Sequence, residues 1–374
     1  MPVSRSVSGP MVLFSALILA CSGSTNPVSA PPDPGPADTP SAPSQPLRGD
    51  NTYGADVNPT GNPIGGGAGY SAILTSYDVY VTTKEELLDG LARAAPGRVI
   101  YVADTVEVDL TGHIGIEIWG GVTLASGRGR DGSKGALIYA TNLDAYPLFR
   151  VTGPGARITG LRLRGPDQLR RTEQMKALSA EGRYYSIPNS DGIQTTQSKL
   201  EVDNCELYGW SHGAIYLQTG SIGNHIHHNN FHHNQRHGLG YGVVLNESDA
   251  LIEANLFDYG RHHIAGTGRP LTSYEARYNI VLGNANSHSF DMHGGRDRGD
   301  GTDIAGGTIL IHHNTFGAVD VAGVVIRGRP TDVCDVYNNW FLHDLPDAAA
   351  KQIYHFGNFR HYKNQYGKSR VVKD

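Results

Sequence analysis

His228-Asn229-Asn230-Phe231, Ala254-Asn255-Leu256-Phe257 and Tyr278-Asn279-Ile280-Val281 state one theme three times over, an asparagine ahead of an apolar or aromatic pair. The theme extends both ways. It begins at Asp203-Asn204-Cys205 and continues through His313-Asn314-Thr315-Phe316, Asn338-Asn339-Trp340-Phe341 and Lys363-Asn364-Gln365-Tyr366. Successive asparagines lie 25, 26, 24, 35, 25 and 25 residues apart, so one period near 25 recurs. The long interval holds an insertion from about Gly294 to Gly306, rich in Gly, Asp and Arg and therefore loop-like. A fixed period of this length marks stacked repeats, none of which can bury its apolar face alone.

Between the asparagines lie alternating or β-branched runs such as Gly213-Ala214-Ile215-Tyr216-Leu217 and Gly323-Val324-Val325-Ile326, separated by polar corners. They are too short for helices and lack a 3.6-residue period, so they predict strands. Several short strands per repeat predict an all-β parallel solenoid. At its corners an asparagine tolerates left-handed backbone angles and can bond from one copy to the next.

From about Tyr70 to the C-terminus the chain resembles the right-handed parallel β-helix proteins of the pectate-lyase-like superfamily. The resemblance implies a single-stranded right-handed parallel β-helix with a short N-terminal capping helix. Residues 81–88 look like that helix, followed by a first strand at 97–102. The apolar positions Leu87, Leu88, Leu91 and Ala94 share a helical face, and Thr83 with Glu86 fits a capping box. Regular rungs begin at Ile158-Thr159-Gly160-Leu161, and residues 166–187 form a long excursion before Asp191.

Ahead of this domain, assigned to 69–374, the composition changes. Residues 1–21 combine Arg5, a short apolar run and Cys21, the pattern of an export signal too short to span a bilayer. Leu17-Ile18-Leu19-Ala20-Cys21 resembles a bacterial lipobox, which implies lipidation at Cys21 and a lipid anchor as the only membrane contact; ordinary secretion is the alternative. Residues 22–68 carry few large apolar side chains and predict a flexible stalk. Cys205 and Cys334 fall almost five rungs apart, about 20 Å at ladder spacing, too far for a disulfide. Both are expected free and buried.

With 48 glycines, 20 prolines, 18% charged and 39% hydrophobic residues, the chain is no coiled coil, disordered polymer or polytopic membrane protein. Its net charge of -5 gives no reason to expect nucleic acid as a partner. The oddity is 17 histidines, the side chain that titrates near neutrality and binds metals most often. His225, His227, His228, His232, His233, His312 and His313 flank the repeat asparagines and predict a structural, solvated role.

Eight or nine residues beyond the repeat asparagines stand His212, His237, His263 and His288, predicted to stack as a column with Asp191 ahead of them. Strand alternation then turns the second and fourth of each following five residues inward. The outward set is Gly238, Gly240, Gly242, Gly266 and Gly268, then Asp291, His293 and Arg327. Glycine inside a strand marks close approach to the backbone. A bare floor ending in a carboxylate, an imidazole and a guanidinium predicts a groove for a flat polysaccharide.

On a uronate-containing glycan this set serves β-elimination. Arg327 neutralises the carboxylate, His293 or His237 removes the C5 proton, Asp291 orients the base, and Tyr241 or Tyr274 protonates the leaving oxygen. Arg236, Arg261, Gly240, Gly266 and Tyr274 are the expected substrate contacts. His288, Asp291, His293 and Glu275 are the expected ligands of a divalent metal, with Ca, Mn, Zn and Cu all open. The expected partner is an acidic polysaccharide, met by an exported, monomeric enzyme. Arg327-Gly328-Arg329-Pro330-Thr331-Asp332 departs from the Arg-x-Pro-x-x-Arg context of pectate lyases, and the paired aspartates of polygalacturonases are missing. The resemblance therefore implies fold and acidic carbohydrate and transfers no site residue. Hydrolysis and epimerisation stay open beside elimination, as do a non-catalytic envelope protein holding copper and a glycan-binding module.

Overall fold

A computed structural model describes residues 53–354 and 357–373. The expected export signal at residues 1–21, with Cys21, and residues 22–52 of the expected stalk lie outside the described residues. Three sheets of 11, 9 and 11 strands, parallel except where Val371–Lys373 closes the third antiparallel, build a right-handed parallel β-helix. Here sheet A starts at Val79–Val81, sheet B at Glu107–Asp109 and sheet C at Ile116–Ile118. Between the two ends each rung gives one strand to each sheet. Six successive strands of sheet C matter below: β1 (Asp191–Thr195), β2 (Gly213–Leu217), β3 (Tyr241–Leu245), β4 (His262–Gly266), β5 (Phe290–Met292) and β6 (Val324–Ile326).

The repeat theme is a ladder of buried amides. Asn229, Asn255, Asn279, Asn314 and Asn339 each donate the backbone N–H to the side-chain oxygen of the next ladder asparagine, at 2.9–3.0 Å. Their side-chain amides donate to carbonyls of the preceding rung, as from Asn279 to Ile252 at 2.8 Å. The left-handed angles expected of these asparagines belong instead to the residues before them, among them Ala254 (φ 51), Tyr278 (φ 55) and His313 (φ 54). On the first rung Asn204 itself takes that conformation, and Cys205 holds the ladder place, donating its N–H to Asn229 at 2.9 Å.

Helix α1 (Lys84–Ala92) plugs the N-terminal end, buries Leu87 and Leu91, and opens on the reciprocal Thr83–Glu86 capping box. Inside, one continuous core runs through all rungs, with ring stacks such as Phe316 on Phe341 at 4.6 Å. Cys205 and Cys334 are free and buried in it. Residues 53–68, expected as stalk, instead lie along the outside of the solenoid. Gly54 donates to the Asn338 carbonyl, Gly65 to that of Ala254 and Gly67 to the Asn204 side chain. Their glycines and polar groups follow the corner backbone closely enough to bond it, which composition alone did not reveal.

Candidate active site on sheet C

Register decides which side chains of sheet C face out. Ile215, Val243, Ile264, Phe290 and Val324 pair in one column and enter the core. The adjacent column of Gln194, Tyr216, Val244, Ala265, Asp291 and Val325 faces outward. The expected parity holds on β5 and β6, where Phe290, Met292, Val324 and Ile326 point in and Asp291 points out. On β2 to β4 it fails. Tyr216, Tyr241, Val244 and Ala265 join Leu239 and Tyr184 in a second apolar cluster outside the core. Unequal corners cause this, because a one-residue slip exchanges the faces of a strand.

The expected histidine column therefore dissolves. His288 lies against His262, ring centroids 4.1 Å apart, and His262 stacks on Tyr241 at 5.7 Å. His263 turns inward, fully buried against Phe257. His237 sits beside the excursion, its N–H on the Arg170 carbonyl and its own carbonyl accepting from the Tyr184 hydroxyl. The glycine floor is not bare either. A Cβ at Gly238 would collide with the Tyr184 hydroxyl, one at Gly266 with the Met292 sulfur, and one at Gly240 with the backbone of Asn234 and Arg236. Those glycines make room for the protein itself.

At the far end of the outer face, Asp291 is fully buried at the centre of a network. Arg327 grips both its oxygens at 2.9 Å, His288 Nε2 lies 2.6 Å from Oδ1, and His293 Nε2 lies 3.1 Å from Oδ2. Burial pushes the Asp291 carboxyl up, but Arg327, His293 and His288 together outweigh it and hold the group well below its ordinary value. Burial lowers His293 to about 4. Its Nε2 accepts from Arg327 at 3.1 Å and its Nδ1 is sealed from solvent without a bond, so this imidazole is engaged rather than poised. Asp291, His293, His288 and Arg327 are thus brought together as the sequence suggested.

Other expected members are elsewhere. Tyr274 lies in the core with its hydroxyl unbonded, so it cannot meet a substrate. Glu275 belongs to sheet A, where it accepts from Arg277 and His312, and is no part of the Asp291 cluster. Arg236 is fully buried on Asp167 and the Pro188 carbonyl, tying down the excursion rather than facing a groove. Arg261 stays at the face, its guanidinium donating to the Tyr241 hydroxyl at 2.9 Å and forming no ion pair among the described residues. Among the described residues two groups have donors close enough to share one cation, His262, His288 and Asp291 here and Glu201, Asp203 and His227 on sheet A, each within 4.8 Å of one another.

The near end holds a second constellation. Asp191, fully buried, takes His212 Nδ1 at 2.7 Å and the Gly213 N–H at 2.7 Å on one oxygen, and the Gln194 amide at 2.7 Å on the other. This bond places the proton on Nδ1 and leaves the Nε2 lone pair open. No described residue bonds that nitrogen, and it is not sealed off. Tyr146, Tyr216 and Tyr241 stand edge-on to the imidazole at 5.7, 5.4 and 5.5 Å. Burial, reinforced by Asp191, raises the Tyr216 hydroxyl to about 12 and keeps it protonated at neutral pH. Asp191 and His212 were legible as members of a column. The part of Tyr146, Tyr216 and Gln194 was not, because only register brings them to one spot.

No protein-family model matches the sequence, and no curated protein matches it. Among solved structures, an alginate lyase from Paenibacillus sp. str. FPU-7 is similar over 79% of this chain and 99% of its own, with TM-score 0.53 and 17% identity. A Yersinia enterocolitica family 28 exopolygalacturonase is similar over 76% of this chain and 62% of its own, with TM-score 0.45 and 12% identity. A pectin methylesterase shows TM-score 0.42 and 13% identity over 80% of this chain and 92% of its own. At 17% identity the likeness to the alginate lyase shows the fold alone and leaves activity to the site.

Proposed function

We propose that this protein is a polysaccharide lyase that cleaves a uronate-containing glycan by β-elimination, with His212 as base. The observation that carries the reading is the His212 imidazole, oriented by a buried carboxylate while its second nitrogen stays open beside a protonated tyrosine. Arg261, a cation without a carboxylate partner among the described residues, neutralises the uronate carboxylate and so acidifies the C5 proton. His212 Nε2 takes that proton; the released electron pair forms the C4–C5 double bond as the C4–O bond breaks. The Tyr216 hydroxyl gives its proton to the departing oxygen. Asp191 stabilises the imidazolium formed and does not itself take a proton. The Asp291 network lies beyond the Tyr241 and His262 rings.

An extracellular location is part of the same proposal, supported by Arg5, the apolar run and Cys21. The test is the absorbance of unsaturated ends during incubation with a panel of uronate polymers, alginates and pectates included. Turnover that vanishes in His212→Ala is expected. Silence on every polymer, or full turnover in His212→Ala, overturns the reading.

A further inference from the structure

We infer that His262, His288 and Asp291 form a binding site for one divalent transition-metal ion. The inference uses none of the elimination chemistry above. Its starting point is an unexplained atom: His262 is fully buried, and its Nε2 has no hydrogen-bond partner. The other ring nitrogen, Nδ1, lies 2.6 Å from the His288 carbonyl and must donate to it. Nε2 therefore bears a lone pair, not a proton. A buried acceptor without a donor costs about 1–3 kcal/mol, so such an atom calls for a partner.

The arrangement is that of a metal ligand. An imidazole that binds a metal through one nitrogen almost always donates the other N–H to a carbonyl or carboxylate, which fixes ring and tautomer. Against the His262 ring stands the His288 ring, the centroids 4.1 Å apart, and one nitrogen of each imidazole lies with an Asp291 carboxylate oxygen within 4.8 Å. A metal there takes the place of the hydrogen that now joins His288 Nε2 to Asp291 Oδ1 at 2.6 Å. Arg327 keeps its fork on the carboxylate, positioning it from the other side. Two imidazoles and one carboxylate select a borderline ion such as Zn²⁺ or Co²⁺ over Ca²⁺ or Mg²⁺, which demand oxygen. Glu275, on another sheet, contributes nothing.

The test is calorimetric titration of the chelator-treated, dialysed full chain with Zn²⁺ and, separately, Ca²⁺. One equivalent of Zn²⁺ is expected to bind saturably, and Co²⁺ is expected to show the visible bands of a nitrogen-ligated low-coordinate ion. His262→Gln and His288→Gln are each expected to weaken Zn²⁺ by at least about tenfold, the loss that disturbing even an outer partner of a metal brings. If His262→Gln fails to fold, His288→Gln carries the test, since its side chain is 18% exposed. Absence of saturable Zn²⁺ binding to the folded protein, or wild-type affinity in the variants, overturns the inference. No glycan enters these measurements, so they stand or fall apart from the lyase activity.

Discussion

Sheets A and C both present histidines on their outer faces, but the two sets are finished differently. On sheet A each imidazole meets a carboxylate on a neighbouring coil: His227 with Glu201 at 3.2 Å, His225 with Glu253 at 3.3 Å and His312 with Glu275 at 3.2 Å. Arg277 bridges Glu253 and Glu275 at 2.6 and 2.7 Å. The second ring nitrogens are used as well, for His227 contacts His228, and His312 contacts His313, at 2.8 Å. On sheet C the bonding stops short. His212 keeps one nitrogen open and His262 keeps one buried nitrogen unbonded. Histidine abundance alone thus says little; the unfinished bonding of a rigidly held imidazole is what separates the proposed reactive face from a structural ladder.

The sharpest way to break this contrast is through turnover. His212→Ala or Asp191→Asn is expected to lower elimination by about 10²- to 10⁴-fold, the usual contribution of a positioned base. Glu275→Gln on sheet A should leave the rate within a factor of about two, because it touches only the structural ladder. Equal losses in both would erase the distinction.

Stability comes next. Asp291→Ala takes away the carboxylate that the largely buried Arg327 guanidinium grips with two bonds and leaves Asp297, at the longer 3.4 Å, as its only carboxylate contact, which costs about 3–5 kcal/mol in denaturant unfolding. Glu275→Ala, at a partly exposed pair, should cost about 1 kcal/mol or less. Replacing Asn279 by Ala in the ladder strands the Asn255 N–H and should cost about 1–3 kcal/mol.

The last contrast is read from pH. His263 is buried without a charge partner, and burial alone lowers it from 6.5 to about 3. Below pH 6.5 the unfolded chain takes up a proton that the folded chain refuses, so stability falls on acidification until about pH 3. The slope from this residue is up to about 1.4 kcal/mol per pH unit, and His263→Leu should remove that share from the pH dependence of the urea midpoint. On sheet A the sign has a different source. Burial pushes Glu253 up, but His225 and Arg277 outweigh it and bring the carboxyl from 4.5 down to about 2. Its contribution is therefore complete above pH 4.5 and disappears toward pH 2. Glu253→Gln should flatten only that lower window.

The asparagine period, the short β-branched runs, the capping box at Thr83 and the two separated cysteines determined the parallel β-helix, its capping helix and its free thiols from sequence alone. Each rests on local chemistry or on a count along the chain, and stacking preserves both. The cluster of Asp291, His293, His288 and Arg327 was legible for a related reason: the members on β5 and β6 are fixed by strand alternation, which needs no knowledge of distant corners. The pairing of Asp191 and His212 with Tyr146 and Tyr216, the burial of Tyr274 and Arg236, and the placing of His262 rather than His263 over His288 were decided by tertiary structure. Strand side chains alternate with a period of two, whereas the corners between coils vary by single residues. Composition shows no trace of such a shift, yet each one exchanges the inside of the solenoid for its outer face.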